Sequence, residues 1–546
     1  MPAPLPFPAG PRLFQAACHS LLAGLVVAGG CRASSLPPLG PGPAGLADPP
    51  AIPGMPPVGD TPPSGVALHW PVPPPAGIQS ADPVLWVALA ARIGPEEGLD
   101  AAAAPPLLLQ ASAGSLTLVD GRGRRFMAPQ LPLHWRRRAL PVPLVIQRRV
   151  VGPLPSYETA EQVARGWRAQ GAAVEIAKPG DWEVWAPLAA PDPVGQSARL
   201  VSRTESSQLV LELRRSQGTV ELAGPLRLEA PQGLQWRGGL YAGPFLLQPD
   251  AHGTWSLVEQ VPLERYLQGV VPHEIGAGAP AAALAAQAVL ARTWALRNRH
   301  RFAVDGYHLC ADTQCQVYSD PRQGGPEVRQ AITSSQGKVL AAAGQPIHAV
   351  YHASNGGVAA GFEEVWRGDA LPYLKPFADG PAAFSARFPI PLASARLPEL
   401  LGDGGQAWGA DHPAFRWHRR ITADQLRTAL GAGGAAVGQP NRLKVLTRGA
   451  SGRVVALEIT GAGGSRVLRL DAIRRTLRQL PSTLFSVSPA GPGVWSVQGA
   501  GFGHGAGLSQ AGAIDQARRG WSRDRILQHY YPGTTLVPLQ ALGEAL

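Results

Sequence analysis

Residues 261–275 read VPLERYLQGVVPHEI and place a carboxylic acid, Glu274, directly after an apolar Gly-Val-Val-Pro run. An Ala-rich helix is predicted to begin a few residues later, at about Pro280. An acid held against apolar surface has its charged form disfavoured, so its pKa rises. A carboxyl group with a raised pKa is suited to act as a general acid near neutral pH. The simpler alternative is a carboxylate that interacts with the dipole at the helix start.

The pattern around this stretch predicts a strand-rich α+β fold. Alternating apolar residues over 209–230 are typical of half-buried strands, and Ser451-Gly452 favours a hairpin between 444–447 and 453–459. The Ala density of residues 281–299 predicts a long helix. Shorter helices are expected at 423–430 and at 509–519, so that a few helices accompany many strands.

Composition limits the class of protein. The chain has 546 residues, enough for two or three domains, and no apolar run predicts a multi-pass membrane protein. Its net charge of +11 indicates either a general Arg bias or attraction to an anionic polymer. The densest basic clusters, at 124–125, 136–138 and 148–149, lack the interleaved aromatic residues that stack on bases, so nucleic acid is not an expected partner.

The N-terminus has the pattern of an export signal. Arg12 precedes the apolar stretch 21–28, which is short for a membrane span and typical of a secretory leader. Cys31 after small residues resembles a lipoprotein cleavage site, although Ala28 stands where Leu is usual. We therefore assign residues 1–33 to a leader, and expect an exported protein of the periplasm or cell envelope that contacts the membrane only through this leader or a lipid anchor. The alternatives are an apolar stretch that has no targeting role and a misplaced start codon.

Three further regions follow the leader. Residues 34–83 are rich in Pro and Gly with few charges, which predicts a disordered tether. Residues 84–200 form an N-terminal αβ region. Within it, residues 150–187 show a βαββ order that resembles a SPOR domain, a module that binds peptidoglycan lacking stem peptides; an unrelated αβ subdomain is the alternative. The main domain is expected at 205–540.

Four sequence blocks, in this order, resemble the SpoIID/LytB family (stage II sporulation protein D) of bacterial cell-wall lytic transglycosylases. The first is the opening stretch, which continues into the predicted helix as AAQAVLARTWAL at 285–296. The second is CADTQCQVY at 310–318, and the third is YHASNGG at 351–357. The fourth is GFGHGAGLSQAGA at 501–513, followed by ILQHYYPGT at 526–534.

The resemblance implies cleavage of the β-1,4 bond between MurNAc and GlcNAc of peptidoglycan strands, with 1,6-anhydro-MurNAc ends as product. Glu274 matches the family's catalytic acid, and no cofactor is required. The resemblance also suggests strands lacking stem peptides as substrate and a peptidoglycan amidase as a partner. It places several residues around the glycan groove as substrate-binding candidates: Arg292, Gln316, Tyr351, His352, Ser354, Asn355, His504 and Gln510. An ordinary structural role is the alternative for each.

Two other functions remain open at this point. A non-catalytic peptidoglycan-binding or scaffold protein would keep the groove and lose turnover, but it would have no need of a buried acid at Glu274. A zinc amidohydrolase acting on stem peptides would need a full His/Glu ligand set, which the sequence does not supply.

Cys310 and Cys315 form a close pair inside the second block. Some family members bind zinc near this block with two Cys and two His, but here Gln314 stands where many relatives have a His, and His308 is differently spaced. A structural zinc held by Cys310 and Cys315, a disulfide between them, and free thiols are the three alternatives.

Overall fold

The computed structural model describes residues 65–96, 98–402 and 405–545. The leader predicted at 1–33, and the predicted tether as far as residue 64, lie outside the described residues. The rest of the predicted tether is part of the fold. Strand Gly65–Ala67 pairs in parallel with Leu144–Ile146, and Trp70 is buried in a small apolar cluster with Leu144. The free energy gained by burying the Trp70 ring in apolar surroundings orders this segment despite its Pro and Gly content.

Two large sheets dominate the structure. The first has nine strands, Gly218–Leu222, Arg199–Arg215, Gln130–Leu154, Leu107–Ala111, Leu234–Trp236 and Gly239–Tyr241 in spatial order, with Gly65–Ala67, Glu175–Ala177 and Trp182–Ala186 attached at one side. The second has seven strands, Leu309–Cys310, Val84–Ile93, Trp255–Pro262, Phe245–Pro249, Leu226–Glu229, Leu116–Val119 and Arg125–Ala128. Both sheets combine strands from before residue 200 with strands from after residue 205.

The βαββ order predicted at 150–187 is present. The end of strand Gln130–Leu154 leads into helix Tyr157–Arg168, which begins at a Ser156 cap and presents Val163 and Trp167 to the core. Strands Glu175–Ala177 and Trp182–Ala186 follow and pair antiparallel with each other. The second of them also pairs with Gln130–Leu154, which joins this segment to the nine-stranded sheet.

Helix Ala281–Arg297 lies inside the largest hydrophobic core, and every side chain from Ala283 to Leu296 is buried. A helix that is covered all round lies inside a domain and not on its surface. The described α-helices are Tyr157–Arg168, Leu263–Val271, Ala281–Arg297, Pro326–Ser334, Ala382–Arg387, Leu397–Gly402, Ala423–Ala429, Ala432–Val437, Asp471–Thr476, Gln510–Arg518 and Arg523–Tyr530. Within the described part of the chain, no helix combines the length and the hydropathy that a bilayer crossing needs.

The remaining strands form small sheets. Their members are Gln345–Pro346, Lys338–Ala342 and Thr535–Pro538; Tyr351–His352 and Leu508–Ser509; Val358–Ala359 and Phe377–Ala378; Arg416–Thr422, Val494–Ala500 and Phe485–Pro489; Pro440–Arg448, Val454–Gly461 and Gly464–Arg469. The hairpin predicted around Ser451-Gly452 is confirmed, as are the helices predicted near 281, 423 and 509. The fold is therefore α+β, as predicted.

Candidate active site

Glu274 lies on a single π-helical turn between two helices. Helix Leu263–Val271 ends where Pro272 cannot donate a backbone hydrogen bond, and the turn Pro272–Gly276 carries the acid. Gly276 has a φ of +88°, a left-handed conformation that turns the chain toward helix Ala281–Arg297. Isolated π turns are rare and frequently occur at functional sites, since they turn a side chain out of the regular helical direction.

The surroundings of Glu274 favour its protonated form. Burial raises the pKa of this carboxyl from 4.5 to about 7, and a hydrogen bond from the Val317 N–H to Oε1, at 2.8 Å, offsets part of the rise. About half of the molecules therefore carry a proton on Glu274 at pH 7. The residue as a whole is half-buried.

Two tyrosines lie within electrostatic reach of the acid. Burial, and then the charge of Glu274, raise the pKa of the Tyr266 and Tyr351 hydroxyls. The Tyr351 hydroxyl donates to Gln316 Oε1 at 3.0 Å. The buried Tyr266 hydroxyl, in contrast, has no hydrogen-bond partner among the described residues. A buried hydroxyl without a partner costs free energy, so its position beside the acid suggests that a ligand supplies the partner.

A row of amide side chains extends from Tyr351. Gln316 Nε2 donates to the Ala291 carbonyl at 3.2 Å, which fixes its Oε1 toward Tyr351. Gln287 lies beside the Tyr351 hydroxyl and accepts from Gln510 Nε2 at 3.4 Å. Of the predicted substrate-binding residues, the structure thus links Gln316, Tyr351 and Gln510, and Tyr351 lies within electrostatic reach of Glu274.

His352 follows Tyr351 in the same short strand, and the ring of His504 lies beside the ring of His352. Strand Tyr351–His352 pairs in parallel with Leu508–Ser509, and the two imidazole ring centres are 5.1 Å apart. His504 Nδ1 accepts from the Ala506 N–H at 3.2 Å, so Nε2 carries the proton and donates to the Tyr351 carbonyl at 2.8 Å. Burial lowers the pKa of His504 to about 3, which keeps the ring neutral. His504 therefore holds the backbone of Tyr351 in place.

Ser354 and Asn355 are buried inside the Gly-rich turn. Asn355 Nδ2 donates to Asp379 Oδ2 at 2.6 Å, and its Oδ1 accepts from the Gly357 N–H at 2.9 Å. Ser354 Oγ accepts from the Gly356 N–H at 3.3 Å, and the Ser354 backbone bridges to Phe502. These polar atoms join the third and fourth sequence blocks to each other, and the structure does not bring them to Glu274.

Arg292 is fully buried and engaged inside the protein. Its Nε and Nη2 donate to the two oxygens of Glu264, at 2.8 and 2.6 Å, and Nη1 donates to the Lys338 carbonyl at 3.0 Å. A paired and saturated guanidinium ties helix Leu263–Val271 to helix Ala281–Arg297, the two helices that flank the Glu274 turn.

Cys310 and Cys315 form a disulfide, with Cα atoms 5.7 Å apart. A zinc ion would need both thiolates and further ligands, and the residues do not fit it. The Nδ1 of His308 accepts from the Trp86 N–H at 2.9 Å, and its Nε2 donates to the Ala76 carbonyl at 3.1 Å. Among the residues that the structure describes, no three His, Cys, Asp or Glu side chains are arranged to hold a metal. The disulfide instead anchors the segment that leads to Gln316 and Val317.

Sequence reasoning missed three groups of this site: the Tyr266 hydroxyl and the Val317 N–H near Glu274, and the Gln287 amide beside Tyr351. Gln287 could have been found from the sequence, because it is a lone amide in a run of apolar residues. The helix that carries it is buried on all sides, and a buried amide needs a polar partner. Tyr266 offers a weaker signal, since it lies eight residues before the acid in the same block. A backbone N–H leaves no trace in a sequence.

Two family models match the chain. The stage II sporulation protein model matches residues 251–341, which include Glu274, Gln287 and the disulfide. A domain of unknown function (DUF8618) matches residues 360–507, the segment between the Gly-rich turn and the end of the His504 loop. The first model thus covers the turn that carries the acid.

Similar curated proteins carry related names. Stage II sporulation protein D of Bacillus subtilis is 32% identical over 298 residues, which cover 51% of this chain and 75% of that protein. The protein of the same name from Bacillus amyloliquefaciens is 30% identical over 298 residues, with the same coverage. An amidase enhancer of Bacillus subtilis is 29% identical over 292 residues, which cover 50% of this chain and 40% of the enhancer.

Proposed function

Because this chain belongs to the stage II sporulation protein D family, we propose that it acts on the bacterial cell wall as a peptidoglycan lytic transglycosylase. The observation that carries the proposal is the half-buried Glu274 on its π turn, with a pKa of about 7. A scaffold protein gains nothing from a carboxyl group that costs free energy when ionised, whereas an acid catalyst needs it.

One carboxyl group can perform both proton transfers. The protonated Glu274 gives its proton to the oxygen of the MurNAc–GlcNAc bond, and the bond between that oxygen and MurNAc C1 breaks. The MurNAc C6 hydroxyl then attacks C1, and Glu274 takes the hydroxyl proton back. A 1,6-anhydro ring forms and the acid is regenerated. The reaction therefore requires neither an attacking water nor a second carboxylate.

The groups around Glu274 suit these steps. The Val317 N–H holds one carboxyl oxygen and leaves the other to face the substrate. The buried Tyr266 hydroxyl has no partner among the described residues, and we propose that it binds a sugar oxygen beside the acid when substrate is present. The Tyr351 hydroxyl, fixed by Gln316, bounds the same space. Groups that are held in place before the substrate arrives need little reorganisation during the reaction.

We propose glycan strands without stem peptides as the substrate and a peptidoglycan amidase as a partner. An amidase removes stem peptides and would thereby produce such strands. The name of the amidase-enhancer relative supports a link to amidases. The structural zinc considered above is not part of this proposal, because the disulfide occupies both cysteines.

We propose an exported, envelope-associated location. The leader pattern at residues 12–31 supports export. The Cys310–Cys315 disulfide supports it independently, because disulfides persist mainly in oxidising compartments outside the cytosol.

The test is mass spectrometry of purified glycan strands, with and without stem peptides, after incubation with the full chain. Wild type and the exposed control Glu327→Gln should produce anhydro-ended fragments, and Glu274→Gln should be slower by about a thousandfold. Intact strands that co-sediment with all three proteins would instead support the non-catalytic, peptidoglycan-binding alternative. Anhydro ends from Glu274→Gln at the wild-type rate would remove Glu274 from the reaction.

A further inference from the structure

A pocket of about 290 Å³ lies at the junction of three segments that are distant in sequence. Helix Tyr157–Arg168 of the βαββ segment contributes Gln162 and Arg165. The last turn of helix Ala281–Arg297 contributes Arg297, and residues 342–373 contribute the rest of the lining, including His348 and Tyr373. None of these residues belongs to the site around Glu274. The volume is at the lower end of the range for ligand pockets and suits one sugar unit.

His348 lines this pocket, and its hydrogen-bond partner determines which ring nitrogen carries the proton. Arg297 Nη2 lies 3.0 Å from His348 Nε2, and a guanidinium can only donate, so Nε2 accepts and Nδ1 carries the proton. Burial, and then the charges of Arg297, Arg165 and Arg301, lower the pKa of His348 to about 3. The ring therefore stays neutral at any physiological pH, with an Nδ1–H that has no acceptor among the described residues.

Other lining groups are also donors. The Tyr373 hydroxyl accepts from the His348 backbone N–H at 3.2 Å, which leaves its own O–H free to donate. Arg297 forms an ion pair with Glu161, with 3.3 Å between Nη1 and Oε1. Arg165 is exposed and makes no ion pair or hydrogen bond through its guanidinium with any described residue. Asp369 is the acidic residue among those that line the pocket. Donors therefore outnumber acceptors, and the complementary ligand is rich in acceptors, above all a carboxylate.

We propose that this pocket binds the lactyl carboxylate of an N-acetylmuramic acid unit of the glycan, with Arg165 as its main charged contact. The identity of the ligand rests on the proposed function, while the donor-rich pocket does not. A strand held here, and at Glu274, would contact the protein at two places. The βαββ segment thus contributes to substrate binding through helix Tyr157–Arg168.

The test is isothermal titration calorimetry of the full chain carrying Glu274→Gln, so that no ligand is consumed. The ligands are N-acetylmuramic acid, N-acetylglucosamine, which lacks the lactyl group, and muramyl dipeptide, whose lactyl group is an amide and whose carboxylate lies on the peptide. Arg165→Gln tests the charged contact. Arg168→Gln is the matched control, since Arg168 is exposed on the same helix and donates to the Val174 carbonyl outside the pocket.

We expect N-acetylmuramic acid to bind at least tenfold more tightly than the other two ligands, and Arg165→Gln to remove about tenfold of its affinity while Arg168→Gln removes none. Equal binding of N-acetylglucosamine, tighter binding of muramyl dipeptide, or an unchanged affinity in Arg165→Gln would overturn the proposal. Cleavage is scored separately: binding that depends on Arg165 without anhydro products from wild type would retain this pocket and reject the transglycosylase.

Discussion

The turn at Glu274 and the buried Asn355 of the Gly-rich turn at 351–357 differ in how far their polar atoms are satisfied within the protein. At the first, a carboxyl group has a raised pKa and the Tyr266 hydroxyl lacks a partner among the described residues. At the second, Asn355 is engaged on both its amide atoms, and Arg453 donates to the Asn355 and Val358 carbonyls, at 2.8 Å each. Both turns are conspicuous motifs in the sequence. The amide of Asn355 is satisfied within the protein, whereas the Tyr266 hydroxyl beside Glu274 and, in the second turn, His352 Nε2 have no partner among the described residues.

This difference gives a physical criterion for distinguishing residues that take part in the reaction from residues that only stabilise the fold. Unpaired or desolvated polar groups cost free energy, so a fold keeps them where a ligand or a reaction uses them. Buried polar groups whose hydrogen bonds are all made within the protein recover the free energy lost on desolvation, and they fix the positions of neighbouring segments. The five predictions that follow test this division by measuring stability, activity or both.

The largest expected effect on folding is that of Arg453→Leu. Arg453 is fully buried, and its loss leaves the Val358 and Asn355 carbonyls without donors. We expect a loss of about 3–5 kcal/mol in the free energy of unfolding, measured by urea denaturation. The exposed control Arg420→Leu should change it by less than about 0.5 kcal/mol. A stable Arg453→Leu protein with no cleavage activity would contradict the division, because the Gly-rich turn would then act in the chemistry.

The pH profile of cleavage gives the next largest effect. The reaction needs protonated Glu274, whose pKa is about 7, so the rate should fall about tenfold per pH unit above 7 and about a hundredfold by pH 9. Initial rates from pH 5 to pH 9, with circular dichroism at each pH to verify folding, measure it. A flat profile up to pH 9 would show that Glu274 is not the proton donor.

The same pKa shift predicts the pH dependence of stability. The charged form is disfavoured in the folded state, so the contribution of Glu274 to stability is complete below pH 4.5 and is lost as the pH rises to about 7. Glu274→Gln should therefore be more stable than wild type by about 1–3 kcal/mol above pH 7, and equally stable below pH 4.

Local patterns predicted much of the fold and the key acid. The Ala-rich run predicts helix Ala281–Arg297, because propensity and burial agree there. The apolar run before Glu274 predicts its raised pKa, and burial does raise it. The hairpin around Ser451-Gly452 is equally local.

Pairings across long sequence separations could not be predicted. From its sequence position alone, Arg292 could be an ordinary surface cation on a helix. In the structure its Nε and Nη2 donate to the two carboxylate oxygens of Glu264, on the preceding helix. The parallel pairing of Tyr351–His352 with Leu508–Ser509 joins segments separated by the whole DUF8618 match. Such contacts depend on tertiary packing, for which a single sequence gives no distance information.

The disulfide should have a smaller effect on stability. Replacing both Cys310 and Cys315 with Ser releases a closed loop of a few residues, which costs about 2 kcal/mol in the entropic account of cross-links. The melting temperature should fall, and so should the activity, because Gln316 and Val317 directly follow the bridge. Dithiothreitol should destabilise wild type and leave the double variant unchanged. A loss of stability with a chelator instead of dithiothreitol would indicate a metal at these cysteines.

The smallest effect is expected for Tyr266→Phe, and it distinguishes the two regions most sharply. Removing a buried hydroxyl that has no partner should leave the free energy of unfolding unchanged or slightly higher. If that hydroxyl binds a sugar oxygen beside Glu274, kcat/KM should fall about tenfold. Activity would then be lost without any loss of stability.

Tyr318→Phe is the matched control, because the two tyrosine rings are only 5.1 Å apart. The Tyr318 hydroxyl donates to the buried Glu259 Oε2 at 2.8 Å, so its removal should cost about 1–3 kcal/mol of stability. It should leave kcat/KM per folded molecule unchanged. Two neighbouring rings that lose the same hydroxyl would thus give opposite results, since one hydroxyl is paired inside the protein and the other awaits a ligand. If Tyr266→Phe loses stability and retains activity, the unpaired hydroxyl has a structural role and the site around Glu274 is smaller than proposed.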